Sequence, residues 1–409
     1  MPVSRRKVNL GRSFGWLWTA YAVSAYGTGL GFGAFSVVAI TVLNAGSAEV
    51  AALSSSGLVI GALLAIPLGP WMEFRAKRPV MITMDVIRSA ALVSVPLAYA
   101  FGALSFAQLL VVSVVTAAAK IAFTAASGAY LRTIVPADGL LVATSRFEST
   151  TWSATIVGPP LGGAAIGVLG PVTTVVMDAV SYLLSALSIA AIRQPEPPPS
   201  PRQTSARRWS DLVEGWRYIL AHHTLRRFFL NVMLVNGLIS ATEPLLSVLM
   251  LSDLGFPVWQ YGLAFAVPCI GGLIGSRLAR RIASRCGEQT VLRVFGVSRA
   301  CWPLGLAFIQ PGLPGLVIVM ATQLGLIICM SVFNPVLAAY RLAGTDAGRH
   351  ARMLTAWSIT SSISIAVITM LWGLLAQVTS PRAAIALAGV LLLATPFLLP
   401  RRITTSQPV

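Results

Sequence analysis

The sequence predicts an all-α integral membrane protein of twelve transmembrane helices arranged as two six-helix halves. Three observations carry that prediction. Hydrophobic residues make up 56% of the 409-residue chain and charged residues only 11%, less than half the charge of an average soluble domain, about 25%. Mean hydropathy is +0.78. Apolar runs recur along the chain with short polar breaks, and one long polar stretch falls near its middle. There is too little polar side chain to clothe a soluble body of this size, which excludes a cytosolic enzyme, a secreted domain and a nucleic-acid-binding globule.

The apolar runs place spans at roughly 16–42, 50–72, 79–101, 105–126, 146–169 and 171–192, then at 226–251, 257–280, 290–310, 314–340, 352–377 and 382–400. Each is long enough, at about 1.5 Å per residue, to cross about 30 Å of hydrocarbon. The segment before the first span is short and basic, and that span is too long for a signal-peptide core, so no cleaved leader is expected. Between the halves, Arg193 to Ser210 contains the run Pro195-Glu-Pro-Pro-Pro199, which suits a linker because proline disrupts helix and sheet. After it, Trp209, Leu212, Trp216 and Ile219 or Leu220 recur at helical spacing and predict a short interfacial helix. The expected organisation is a first half over 1–192, a linker with its helix over 193–225, and a second half with a short tail over 226–409.

Net charge is +17, which in a soluble chain would suggest a nucleic-acid partner. Position argues otherwise. All but one of the loop Lys and Arg residues fall on one side of the predicted membrane, Arg382 being the exception. The positive-inside rule puts that side, and both termini, in the cytoplasm. The Arg-, Ala- and Gly-rich composition suits a bacterial chain, so the expected location is a bacterial inner (plasma) membrane.

Ionisable groups inside the bilayer are costly unless paired or hydrated, so each is a candidate for function. A proton carrier must be buried, titratable and reachable from a cavity. Glu243, deep in span 7, is the first candidate and Asp178 on span 6 the second, although a hydrogen bond to a neighbouring hydroxyl would also account for Asp178. Asp85 and Arg88 stand one turn apart on span 3 and are expected to pair. Lys120 on span 4 is expected to snorkel to the interface. Arg299 in span 9 needs a partner the sequence does not name. Tyr26, Thr28, Asn236, Asn334 and Trp357 are candidates for a substrate-cavity wall. Cys269, Cys286, Cys301 and Cys329 are dispersed and the three histidines have no ligand spacing, so neither a metal nor a disulfide framework is expected. The chain has no Walker, GxSxG or HExxH motif, so no enzyme and no cofactor is expected.

Several motifs then resemble one family. Gly69-Pro-Trp-Met-Glu73-Phe-Arg-Ala-Lys77-Arg78, between spans 2 and 3, is similar to the G-x-x-x-D-R-x-G-R-R loop of the major facilitator superfamily at Gly69, Glu73, Lys77 and Arg78. Gly158-Pro159-Pro-Leu-Gly162-Gly163 on span 5 resembles the G-P-x-x-G-G motif of its proton-coupled drug exporters. The run Asp211 to Arg226, with Pro244, Gly255 and Gly271 to Gly275, looks like the branch that includes macrolide efflux pumps and the enterobactin exporter. That branch often carries an acid on span 1 where this chain has Thr28.

The resemblance implies two six-helix halves about a midplane cavity. It implies proton-coupled efflux of a small amphipathic compound by alternating access, with a small molecule, protons and lipid as partners and no nucleic acid, from a monomer. A same-fold importer and a non-transporting receptor or scaffold are the alternatives. It implies that Glu73 caps the start of span 11, with Lys77 and Arg78 beside it. The span 5 glycines are expected to press on a helix of the other half.

Overall fold

The computed structural model describes residues 10–31, 33–57, 59–60, 75–136, 139–194, 196, 209–343 and 350–400. Among them there is helix and no strand. Ten of the described helices are long and apolar enough to cross a membrane. Span 2 appears as helix over 47–57 and 59–60, its remainder lying outside the described residues. Span 5 is the helix Leu140–Leu169, so every predicted span that is described is helical.

Helix ends follow local chemistry. Ser105 and Ser380 cap spans 4 and 12, their hydroxyls accepting from the Gln108 and Ala383 amides and satisfying donors the helix cannot. Spans 5 and 6 reverse direction at Gly170, whose φ of +84° disfavours a side chain, and Pro171 starts the next helix where its missing N–H costs nothing. Pro303 near the end of span 9 gives a tighter turn, Trp302–Phe308. Span 8 is broken between Val258–Ala266 and Cys269–Cys286 at Pro268. The predicted interfacial helix is Trp209–Ala221. Ile219 is fully buried and the Trp216 indole donates to Thr360 at 2.8 Å, so this helix is fastened to span 11.

By packing, the chain divides into two compact units: Met1–Phe35 with Leu63–Gln203, and Ser36–Ala62 with Thr204–Val409. Each has its own pattern of neighbours, and the patterns match. In the first unit span 1 packs on spans 5 and 6, and span 3 on spans 4 and 6. In the second, span 7 packs on spans 11 and 12, and span 9 on spans 10 and 12. The first has a core of Phe14, Leu17, Met81, Phe123 and Tyr130 among others. The second has Phe228, Phe229, Phe333, Met353 and Trp357. Large apolar side chains also face outward, such as Leu183, Leu184 and Leu187 on span 6. A continuous apolar surface is what lipid contact requires.

Candidate substrate and proton site

The first unit is polar inside. On span 3, Arg88 donates to Asp85 Oδ1 at 3.2 Å, the one-turn pair expected from the spacing, and both are buried. The same guanidinium donates to the Tyr182 hydroxyl at 2.6 Å and lies 3.6 Å from that ring's centroid. Tyr182 and Thr28 share a bond of 2.6 Å, and Thr28 donates to the Ser24 carbonyl at 2.9 Å. Arginine only donates. Tyr182 therefore accepts from Arg88 and shares a hydrogen bond with Thr28, so Arg88, Tyr182, Thr28 and the Ser24 carbonyl form one connected chain. Thr28 ends it on span 1.

Asp178 is one helical turn from Tyr182, on the same face of span 6. It accepts weakly from Ser181 at 3.4 Å. It can lie against span 1 because of two glycines there. A Cβ on Gly31 would come within 3.1 Å of Asp178 Oδ2, and one on Gly27 would overlap Ser181. Two cavities of about 300 Å³ each open beside this network and share Thr28, Arg88 and Lys120 as lining. Asp178 lines the first. The second is lined by hydroxyl-bearing residues such as Tyr21, Ser24 and Thr124 and, among the described residues, by no carboxylate. Lys120 thus faces the interior instead of the interface, within electrostatic reach of Arg88 and Asp178.

Of the other wall candidates, Tyr26 bonds Ser153 across to span 5 at 2.7 Å, beside parallel bonds from Trp18 to Thr150 and Tyr21 to Thr151. Asn236 is half-buried, its Oδ1 without a hydrogen-bond partner among the described residues. Asn334 is exposed. Trp357 packs in the core of the second unit, edge-on to Phe229 at 5.1 Å and under Arg341 at 4.3 Å. Glu243 lies on span 7 in that unit, exposed and near Tyr261. No cation is paired with it among the described residues. Within the first unit the structure therefore groups Asp178 with cations, hydroxyls and cavity.

The span 5 glycines correct one expectation. Their partner is span 1 of the same unit: a Cβ on Gly158 would fall 2.6 Å from Gly29 Cα, and one on Gly162 would fall 2.5 Å from the Leu30 carbonyl oxygen. Gly163 is buried on the same helix, and Pro159 lies within it. The reason is the Gly29–Gly158 juxtaposition, which lets two backbones touch.

Gly69 and Glu73 lie outside the described residues. Lys77 and Arg78 begin span 3, and their amides donate to the Glu196 carboxylate, an anion where a helix N-terminus favours one. Arg78 in turn donates to the Ile189 and Ala190 carbonyls that end span 6. Sequence reading missed Glu196 because it sits in the proline-rich linker. It missed Tyr182 too, although its place one turn from Asp178 was available as a signal.

A buried ion-pair network beside polar cavities within a bundle of membrane-crossing helices describes a membrane transporter. The model of the Major Facilitator Superfamily matches residues 17–340, and the chain belongs to that family. It is 29% identical over 348 residues to the multidrug efflux pump Tap of Mycobacterium tuberculosis, covering 81% of this chain and 79% of that protein. It is 26% identical over 306 residues to Tap of Mycolicibacterium fortuitum, covering 72% and 71%. Its fold is similar to the crystal structure of the nucleoside transporter NupG, with a TM-score of 0.72 at 13% identity over 96% of this chain and 98% of the other. The protein is a multi-pass membrane transporter, not an enzyme.

Proposed function

We propose that this protein exports a small amphipathic compound across a bacterial inner membrane by alternating access, in exchange for protons. The observation that carries the reading is Asp178, buried against the span 1 glycines and lining a cavity with Arg88, Lys120 and Thr28. The similarity to multidrug efflux pumps supports the export direction. A carboxylate there can hold either a proton or a cationic group of the substrate, and that competition is what exchange requires. Glu243 is the second candidate carrier.

The one-sided loop charge supports cytoplasmic termini. The six-plus-six division into 1–192, 193–225 and 226–409 is the repeat we assign, supported by the matching neighbour patterns. We assign Gly69, Glu73, Lys77 and Arg78 to a gating loop, and Gly158, Pro159, Gly162 and Gly163 to the helix contact of span 5. We assign a monomer.

The test is transport of a fluorescent amphipathic dye in proteoliposomes with an imposed pH gradient. Wild-type protein is expected to accumulate dye against its gradient as protons leave the dye-filled side. Asp178→Asn is expected to lose the pH-driven component and keep passive dye exchange. Retention of pH-driven uptake by Asp178→Asn, with its loss in Glu243→Gln, moves the carrier to Glu243. Retention by both overturns proton coupling.

A further inference from the structure

The two cavities of the first unit differ in charge, and the difference bears on what they hold. Asp85 and Arg88 neutralise each other at 3.2 Å. Among the described lining residues, that leaves Lys120 and Asp178 as the groups whose charge is offered to a ligand. They sit on different helices, spans 4 and 6, and form no ion pair within 4 Å. Each senses the other only through space. Asp178 reaches only the first cavity, whereas Lys120 borders both.

We propose that the paired cavities bind a zwitterionic amphiphile, with its anionic group in the second cavity at Lys120 and its cationic group in the first at Asp178. This rests on the export reading for the site and names the class of compound exported. A purely cationic ligand would satisfy Asp178 and face Lys120 with like charge. A purely anionic one would satisfy Lys120 and bring a second negative charge toward Asp178. Away from bulk water such mismatches weigh heavily, and only a ligand carrying both charges leaves neither residue opposed. The second cavity also offers hydroxyls from Ser24 and Thr124, while Phe35 and Leu92 supply apolar wall in the first. That combination suits a body with a hydrophobic frame and two charged ends.

The experiment compares two dyes that differ in one charge. Rhodamine 110 carries a free carboxylate beside its cationic ring system; rhodamine 123 is its methyl ester and is purely cationic. Binding to the purified, full-length protein is measured by fluorescence anisotropy at neutral pH with no gradient, so the result does not depend on coupling to protons. Wild-type protein is expected to bind rhodamine 110 about tenfold tighter, the effect of about 1.4 kcal/mol from one charge-assisted contact.

Lys120→Met is expected to remove that preference by weakening rhodamine 110 about tenfold while holding or improving rhodamine 123, which also reports that the variant is folded. Lys120→Arg is expected to keep the preference, and Asp178→Asn to weaken both dyes. Tighter wild-type binding of rhodamine 123, equal loss of both dyes in Lys120→Met, or no binding of either dye to wild type overturns the assignment. If the dye preference holds and pH-driven transport fails, the export reading falls and the zwitterion site stands.

Discussion

Spans 3 and 9 each bury an arginine, and they solve its charge in different ways. Arg88 and Arg299 are both the twelfth residue of their helices, Lys77–Ala100 and Glu288–Cys301. Both lie over an aromatic ring, 3.6 Å from the Tyr182 centroid and 3.7 Å from that of Phe333. One turn before Arg88 stands Asp85; one turn before Arg299 stands Gly296. The space an acid would need there is filled, since a Cβ on Gly296 would meet Leu399 at 2.9 Å and Phe333 at 3.2 Å. Arg299 donates instead to Asn231 Oδ1 at 2.5 Å and weakly to the Met330 sulfur at 3.7 Å, and Asn231 donates to the Thr395 carbonyl at 2.8 Å.

The repeat extends to span 10, where Phe333 and Tyr340 keep the spacing of Phe123 and Tyr130 on span 4. In that register Met330 stands where Lys120 stands. The first unit has therefore gathered charges around its arginine, and both cavities described above open there. The second has surrounded its arginine with neutral dipoles and apolar packing, and Arg299 is fully buried. The same helical scaffold supports acids and bases beside cavities in one unit and a buried arginine held by neutral groups in the other.

This comparison can be broken or sharpened at four places. The largest effect is expected from Asp178→Asn, which takes pH-driven transport to background with membrane abundance unchanged, measured by immunoblot beside the flux assay. An equivalent loss of transport from a well-folded change at Asn231 would show that the two interiors are not divided in this way.

Next is Asn231→Leu. It leaves the buried guanidinium without its strongest acceptor, and unsatisfied buried polar groups cost about 1–3 kcal/mol, more when charged. A clear drop in melting temperature is expected. Adding Arg299→Met is expected to recover most of it, because the charge that needed Asn231 is gone. A double variant no more stable than Asn231→Leu would deny the pairing.

The helix contacts differ by a smaller margin. Gly158→Ala drives a methyl onto the Gly29 backbone, which cannot turn aside, and overpacking costs about 1–3 kcal/mol. Gly237→Ala, on the matching contact between spans 7 and 11, meets the end of the Ile368 side chain, which can rotate. Gly158→Ala is expected to be the more destabilising of the two by thermal unfolding in detergent, and the reverse order would contradict the backbone contact.

The smallest effect is expected for Trp216→Phe. It removes one hydrogen bond to Thr360 and keeps an aromatic ring, a loss of about 0.5–1.5 kcal/mol. Transport should be unchanged, and a collapse in expression would assign the interfacial helix a larger part in stability than one bond explains.

Composition and apolar run length determined the fold class, because a bilayer admits only segments that satisfy their own backbone, and 56% apolar residues in long runs leave no soluble alternative. Local spacing determined the Asp85–Arg88 pair, since residues three apart on a helix necessarily meet, and the amphipathic pattern after the linker determined the helix at Trp209–Ala221. Everything that joins distant segments was decided by tertiary structure. Lys120 faces Asp178 because spans 4 and 6 both pack around span 3, Arg299 finds Asn231 sixty-eight positions away, and Glu196 returns from the linker to cap span 3. A one-dimensional pattern shows how much apolar surface a helix carries. Which neighbour each polar side chain meets depends on how the helices rotate against one another, and that is set by close contacts such as Gly29 on Gly158.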